Sequence, residues 1–214
     1  RFETQASFDP SEETVPELYT RVKEAEDTRY RVTLAEGVTS WQVVEELGQI
    51  DVLEGTAEVP AEGALAPDSY EISPGDTVQS VLSRMQDAQS RILELAWQER
   101  APDLPLASAQ EALILASIIE KETGNAQERF DVASVFVNRL RQGIRLQTDP
   151  TVIYGITRGQ GVLGRGLRRS ELDRETPWNT YRINGLPPTP IANPGRAAIE
   201  AALNPASTDF IYFV

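Results

Sequence analysis

Residues Ala112 to Ile119 are apolar at every position but Ser117, and Glu120 follows them directly. No other stretch restricts the fold as strongly, because a segment that is apolar all round must be covered all round. Just upstream, Ser108 and Glu111 have the Ser-x-x-Glu spacing of a capping box, and Gly124-Asn125 offers a stop downstream. The spacing predicts a buried central helix of about four turns. On that helix Glu120 shares a face with Leu113, Ala116 and Ser117. A carboxyl among such neighbours is partly desolvated, which raises its pKa and suits it to giving up a proton. A glutamate that merely turns outward at the helix end is the alternative.

What else the chain can do is narrowed by what it lacks. It has no cysteine and no histidine, which removes disulfides, thiol nucleophiles, zinc–thiolate sites and Ser-His or Cys-His catalysis. Acid–base work near neutral pH then falls to a tuned carboxyl, a lysine or a tyrosine. Acidic residues outnumber basic ones 33 to 20, and the net charge of −13 argues against binding nucleic acid or anionic lipid. Arg165, Arg168, Arg169 and Arg174 form a local basic cluster without interleaved aromatics, read as a solvated loop. No apolar run approaches the roughly 20 residues that span a bilayer, and no signal peptide is visible. The apolar ending Phe210-Ile-Tyr-Phe-Val214 reads as a strand cut in mid-pattern, the mark of a fragment of something longer.

Read in order, residues 1–28 are acidic and turn-rich, a loop and then a short helix through Val15, Leu18, Tyr19 and Val22. Tyr30–Leu34 alternates like a strand, and Thr39 with Gln42 makes a capping box for a helix over Trp41–Leu47. Trp41 is read as a core residue. A second short helix is expected around Ile50–Leu53, and a second strand at Ser69–Ile72. Pro74-Gly75-Asp76 closes this α+β unit and caps a long helix, with Val78, Val81, Leu82, Met85, Ala88, Ile92, Leu95 and Ala96 on one stripe. Beyond the central helix, a further helix is expected from about Gln127 to Gln142, ended by Gly143. Asp149-Pro150 then reads as an N-cap followed by proline at the first helical position. Gly159–Gly166 is a mobile loop rather than a phosphate cradle, since no strand precedes it and no Gly-Lys-Ser/Thr follows. Thr176–Pro188 is a polar, aromatic loop, and Asn193-Pro194 opens a last helix over Gly195–Leu203, ahead of the terminal strand.

Several of these stretches carry a resemblance. Ala116-Ser-Ile-Ile-Glu-Lys-Glu-Thr123, Val132-Ala-Ser-Val-Phe-Val-Asn-Arg-Leu140 and Leu146-Gln-Thr-Asp-Pro-Thr-Val-Ile-Tyr-Gly155 are similar to motifs of the MltG/YceG family of bacterial endolytic murein transglycosylases. So are Asn179-Thr-Tyr181, Gly185-Leu-Pro-Pro188, Asn193-Pro-Gly195, Tyr212-Phe-Val214 and, upstream, Glu36-Gly-Val-Thr-Ser-Trp-Gln42 and Pro67-Asp-Ser-Tyr70.

The resemblance implies an α+β fold with a small LysM-like α+β subdomain over 29–76 and a mainly helical catalytic domain with short strands over 77–214. Residues 1–28 are then an N-terminal extension or part of a preceding domain, and the catalytic domain is C-terminally truncated relative to the family. The implied activity is cleavage of the MurNAc–GlcNAc β-1,4 bond within peptidoglycan strands, leaving 1,6-anhydro-MurNAc ends. Glu120 takes the place of the family's essential glutamate, acting as general acid and then base. No cofactor or metal is implied. Peptidoglycan glycan strands are the implied partner, with peptidoglycan synthases as candidates and no nucleic acid. The implied location is the cell envelope, as the periplasmic domain of a single-pass inner-membrane protein, with membrane contact only through an anchor absent from this chain. A noncatalytic peptidoglycan-binding module and a two-carboxylate hydrolase using Glu122 or Asp149 are the competing readings.

Gln147, Thr148 and Asp149 are candidates for lining the cleft, although Asp149 also reads as a plain helix cap. Tyr154 either stacks on a sugar, orients Glu120, or is a core aromatic. Asn179 and Tyr181 either meet substrate or hold their loop. Glu122, two residues on from Glu120 and therefore on another face, is expected to be solvated or ion-paired.

Overall fold

Two hydrophobic cores joined by one long helix organise residues 29–212, the part of the chain that the computed structural model describes. The loop and helix expected over 1–28 lie outside the described residues. The smaller core belongs to the first unit. Strand β1 (Tyr30–Thr33) pairs antiparallel with β2 (Ser69–Ile72), Tyr30 opposite Ile72 and Thr33 opposite Ser69. Between them comes α1 (Ser40–Leu47), whose capping box forms in full: Thr39 accepts from Gln42 N, and the Gln42 side chain accepts from Thr39 N. Leu34, Val43, Leu47, Leu65 and Ile72 fill the space between sheet and helix.

The helix expected at Ile50–Leu53 does not form. Isolated turns close there, and Glu54 leaves them to make a parallel bridge to Thr77, donating to Asp76 O and accepting from Val78 N. The chain is needed as a strand-like tether to the next helix, and a helix would have withdrawn those backbone groups.

That next helix, α2 (Val78–Gln98), is capped by Thr77, one residue beyond the expected Asp76. Asp76 instead accepts from Ser73 N and pairs with Arg84 at 3.0 Å. The first half of α2 buries Val78, Val81, Leu82 and Met85 in the first core, while Ile92, Leu93, Ala96 and Trp97 pack against the second. The inner face therefore turns partway along. Leu95, expected to be inward, is 56% exposed, and Gln89 is buried in the stripe. Its amide donates to Gly63 O and Pro194 O, each at 3.1 Å, tying the helix to two loops.

The second core forms around α3 (Ala109–Glu122), which buries Ala112 to Ile119 without a break. Ser108 caps it by accepting from Glu111 N, whereas the Glu111 carboxylate reaches back to Ala107 N. Helix α4 (Arg129–Arg141) and helix α7 (Arg196–Leu203) cover it with Val132, Ala133, Phe136, Ala198, Ile199 and Leu203. Two smaller helices complete this part, α5 (Asp149–Thr157) and α6 (Arg169–Leu172).

The fold is α+β, as expected, with both strands of the described residues in the first unit. Short strands in 77–212, including one at Phe210–Tyr212, do not form among the described residues. The reason lies on α4: Asn138 Nδ2 donates to Thr208 O and Phe210 O, and Arg139 Nε donates to Ile211 O. Side chains take the carbonyls that a neighbouring strand would have paired.

Candidate active site

The C-terminal end of α3 is where the two units meet. Segment 190–195 runs between them as a strap. Ser117, the lone hydroxyl of the apolar run, bonds to its own helix at Ile114 O and accepts from Ile191 N at 3.0 Å. Asn193, fully buried, accepts from Leu65 N and donates to Val38 O, while its backbone exchanges hydrogen bonds with Gly37 and Val38. Gly63 fits under the strap because it lacks a side chain: a Cβ there would lie 2.7 Å from Pro190, and its φ of +81° is one that other residues rarely adopt.

Where the strap ends, Glu120 is met. Its side chain is only 5% exposed. Oε2 accepts from Gly195 N at 2.8 Å, at the N-terminus of α7, and Oε1 lies 3.5 Å from Arg129 Nη2. The same arginine nitrogen is 4.0 Å from Glu36 Oε2, on the turn after β1. Both distances exceed the roughly 2.7–3.2 Å of a hydrogen bond, so the arginine is shared loosely rather than clamped to either carboxylate. Burial pushes the Glu120 carboxyl above its ordinary value, opposed by the Gly195 N–H, reinforced by the Glu36 charge, and opposed again by Arg129 and Lys121. Desolvation prevails, and Glu120 is an acid able to hold its proton above the usual carboxylate range.

The other candidate residues assemble elsewhere on the same helix end. Gln147 turns at φ +51°, left-handed backbone that costs a non-glycine residue about 1–2 kcal/mol, and leaves its side chain exposed. The turn aims the buried Thr148 hydroxyl at Glu122, not at Glu120. Glu122 is therefore half-buried and fastened by Thr148, with no salt bridge among the described residues; burial raises its pKa, Thr148 opposes that, and the Asp149 charge adds to it. Thr148, not Asp149, occupies the cap position of α5. Asp149 stands one residue inside, where its carboxylate accepts from Tyr181 OH at 2.7 Å, and burial, reinforced by that contact, pushes the phenol up.

Asn179 is fully buried, its Nδ2 donating to Glu171 O, Leu172 O and Arg174 O and its Oδ1 accepting from Tyr181 N. With its amide saturated by its own loop, it holds Tyr181 in place rather than facing a ligand. Tyr154 packs beside Trp178, ring centroids 6.1 Å apart, and its phenol is pushed up to about 12 by burial and by the charge of nearby Glu62. Glu62 accepts from Ser40 N at 2.8 Å. Tyr154 and Lys121 line a groove of about 350 Å³ with Thr39, Gln42, Ile153 and Val162. Among the basic cluster, Arg165 is paired with Glu171 at 2.5 Å. Among the described residues no three His, Cys, Asp or Glu side chains gather as metal ligands.

The site thus draws on three residues to which the sequence assigned no role: Glu36, Arg129 and Gly195. Glu36 and Gly195 stood inside quoted motifs, but their convergence on Glu120 depends on the strap. Arg129, in the polar stretch Gln127-Glu-Arg-Phe130, gave no signal at all.

The comparisons with known proteins agree with this arrangement of elements. A model of the YceG-like family matches residues 8–214. The chain belongs to the YceG-like family. A protein of Bacillus subtilis (strain 168) named endolytic murein transglycosylase is 36% identical over 165 residues, 77% of this chain and 44% of that protein. One of the same name from Streptococcus pneumoniae (strain R6) is 31% identical over 174 residues, 78% of this chain and 30% of its own length. The chain thus spans less than half the length of either relative. A crystal structure of a YceG-like protein from Listeria monocytogenes superposes with a TM-score of 0.68 at 28% identity, covering 94% of this chain and 75% of that one. Among the described residues no YceG-like helix is long and apolar enough to cross a membrane.

Proposed function

We propose that this chain is the catalytic part of an endolytic murein transglycosylase, cutting the MurNAc–GlcNAc β-1,4 bond inside peptidoglycan strands. The observation that carries the reading is the Glu120 carboxyl: buried, raised in pKa, and given one backbone N–H donor. Family membership and the names of the relatives support the same chemistry.

A glycosidase that uses water needs two carboxyls, one for the leaving group and one for the nucleophile or its proton. A lytic enzyme needs one, because the nucleophile is already part of the substrate. Glu120 gives its proton to the glycosidic oxygen as the bond from the MurNAc anomeric carbon breaks. The MurNAc C6 hydroxyl closes on that carbon, helped by the 2-acetamido group, and Glu120, now a carboxylate, takes the hydroxyl proton. Acid and base are thus regenerated in one residue, and the product is the 1,6-anhydro ring. The Gly195 N–H and Arg129 stabilise the carboxylate that exists between the two transfers.

The groove lined by Lys121 and Tyr154, next along α3 from Glu120 though not lined by it, is offered as the path of the glycan strand. Gln147, Asp149 and Tyr181 are offered as contacts further along the strand. Thr148 acts by holding Glu122, and Asn179 by holding its loop. The proposed location is the outer face of the inner membrane, with peptidoglycan synthases as neighbours. Glu120→Gln is expected to keep the fold and abolish release of anhydro-muropeptides from uncrosslinked strands. Undiminished release from that variant removes the assignment.

A further inference from the structure

Glu36 has no part in the scheme above, yet the fold goes to some length to keep it at the site. Its turn is held on three sides: Gly37 N donates to Asn193 O at 2.9 Å, Asn193 N donates to Val38 O at 2.9 Å, and Lys121 Nζ donates to Gly37 O at 3.1 Å. The carboxylate then lies over Gly195, where a Cβ would fall 2.0 Å from Glu36 Oε1. Gly195 has φ −72°, which any residue adopts, so the backbone does not require glycine there; a Cβ would instead have to push the half-exposed Glu36 side chain aside. At that place Glu36 takes up one side of the buried Arg129, at 4.0 Å, while Glu120 stands 3.5 Å from the same nitrogen.

We propose that Glu36, carried by the first α+β unit, is a positioning residue for Glu120. It holds Arg129 between two carboxylates, so that the arginine cannot close on Glu120 as a tight ion pair and Glu120 keeps a proton to give. The proposal rests on the acid–base role assigned to Glu120 above. Its physical basis is the set of groups facing Glu120: Glu36 from the β1–α1 turn, Arg129 from α4, Gly195 N–H from the start of α7, and Lys121 from α3 itself. Of the three charged ones only Glu36 favours the protonated form. Arg129 released from Glu36 would settle nearer Glu120 and favour the carboxylate. The first unit thereby sets the proton affinity of a residue on the other core, and an enzyme without it docked would be a poorer acid.

The test is a pair of titrations of the full-length protein. Carbon-13 detection of the Glu120 side-chain carboxyl reads its pKa without substrate, and the pH profile of kcat/KM on uncrosslinked glycan strands reads it through the reaction. Glu36→Gln is expected to lower both the carboxyl titration and the alkaline limb by about one pH unit, roughly a tenfold loss of rate above the limb. KM is expected to stay unchanged, since Glu36 is not placed on the substrate. Glu36→Asp, which restores the charge, is expected to return the limb towards wild type. Gly195→Ala, which pushes the Glu36 carboxylate aside, is expected to move the limb in the same direction as Glu36→Gln. An unmoved carboxyl titration in Glu36→Gln overturns the proposal, as does a uniform loss of rate across all pH with the limb in place. If Glu120→Gln stays active while Glu36→Gln still moves the titration, the acid–base role falls and the coupling stands. If Glu120→Gln is dead and the titration does not move, the reverse holds.

Discussion

Glu120 and Glu122 stand two residues apart on one helix end, both partly buried, both raised in pKa, and they are held in different ways. Glu120 accepts a backbone N–H and faces an arginine it shares, at distances that leave its carboxyl unclamped. Glu122 is taken by a buried threonine hydroxyl from the turn before α5. On the proposed function the first arrangement leaves a proton available to a substrate, whereas the second fastens a turn. Two identical side chains differ in role because helix geometry turns one to the strap and the first unit, the other to the 147–149 turn.

Exchanging the two carboxyls one at a time tests that difference most severely. Glu120→Gln is expected to lose about three orders of magnitude in kcat, the scale of general acid–base catalysis, while Glu122→Gln stays within about tenfold of wild type. Steady-state rates on uncrosslinked strands decide it, and equal losses would erase the distinction. A smaller effect separates the fastening role. Thr148→Val strips Glu122 of its donor and is expected to cost about 1–3 kcal/mol in urea unfolding, with the alkaline limb of the rate profile unmoved. A shifted limb would mean that Thr148 acts on the Glu120 site after all.

Smaller still is a stability change that runs the other way. Glu62, Glu120 and Glu122 are all raised above the ordinary 4.5, each chiefly by burial. Such a group binds its proton more tightly folded than unfolded. The stability it contributes is full below 4.5 and is lost as pH rises through the folded value. Glu120→Gln removes this loss, and at neutral pH the variant is expected to be about 0.5–2 kcal/mol more stable than wild type, with the gap closing as pH falls towards 4.5. A variant less stable than wild type at neutral pH would show that the Arg129 and Gly195 contacts outweigh burial.

Local chemistry made much of the fold legible. Thr39 and Gln42 declared a helix start by side-chain reach alone, and the Ala112–Ile119 run had one physical solution. Tyr30–Thr33 and Ser69–Ile72 alternate as a half-covered pair must. The misses are residues whose role comes from distant partners. Gln89 on an apolar stripe, Asn193 under the first unit and Asn179 inside its loop look like ordinary polar positions until the carbonyls they satisfy are brought alongside. The described part of the expected C-terminal strand, Phe210–Tyr212, is not a strand for the same reason: Asn138 and Arg139 on α4 took its carbonyls. Glu120 itself was readable as a desolvated carboxyl, but its surroundings come from β1–α1, α4 and the strap, separated in sequence by most of the chain.

That one carboxyl serves as acid and base with no water in the reaction is tested most directly by weighing the new chain ends. Uncrosslinked glycan strands are digested in water labelled with oxygen-18 and the products analysed by mass spectrometry. The expected ends are 1,6-anhydro-MurNAc with no label, formed at a rate that vanishes in Glu120→Gln. Reducing ends that carry the label would contradict it, and would require a second carboxyl to activate water.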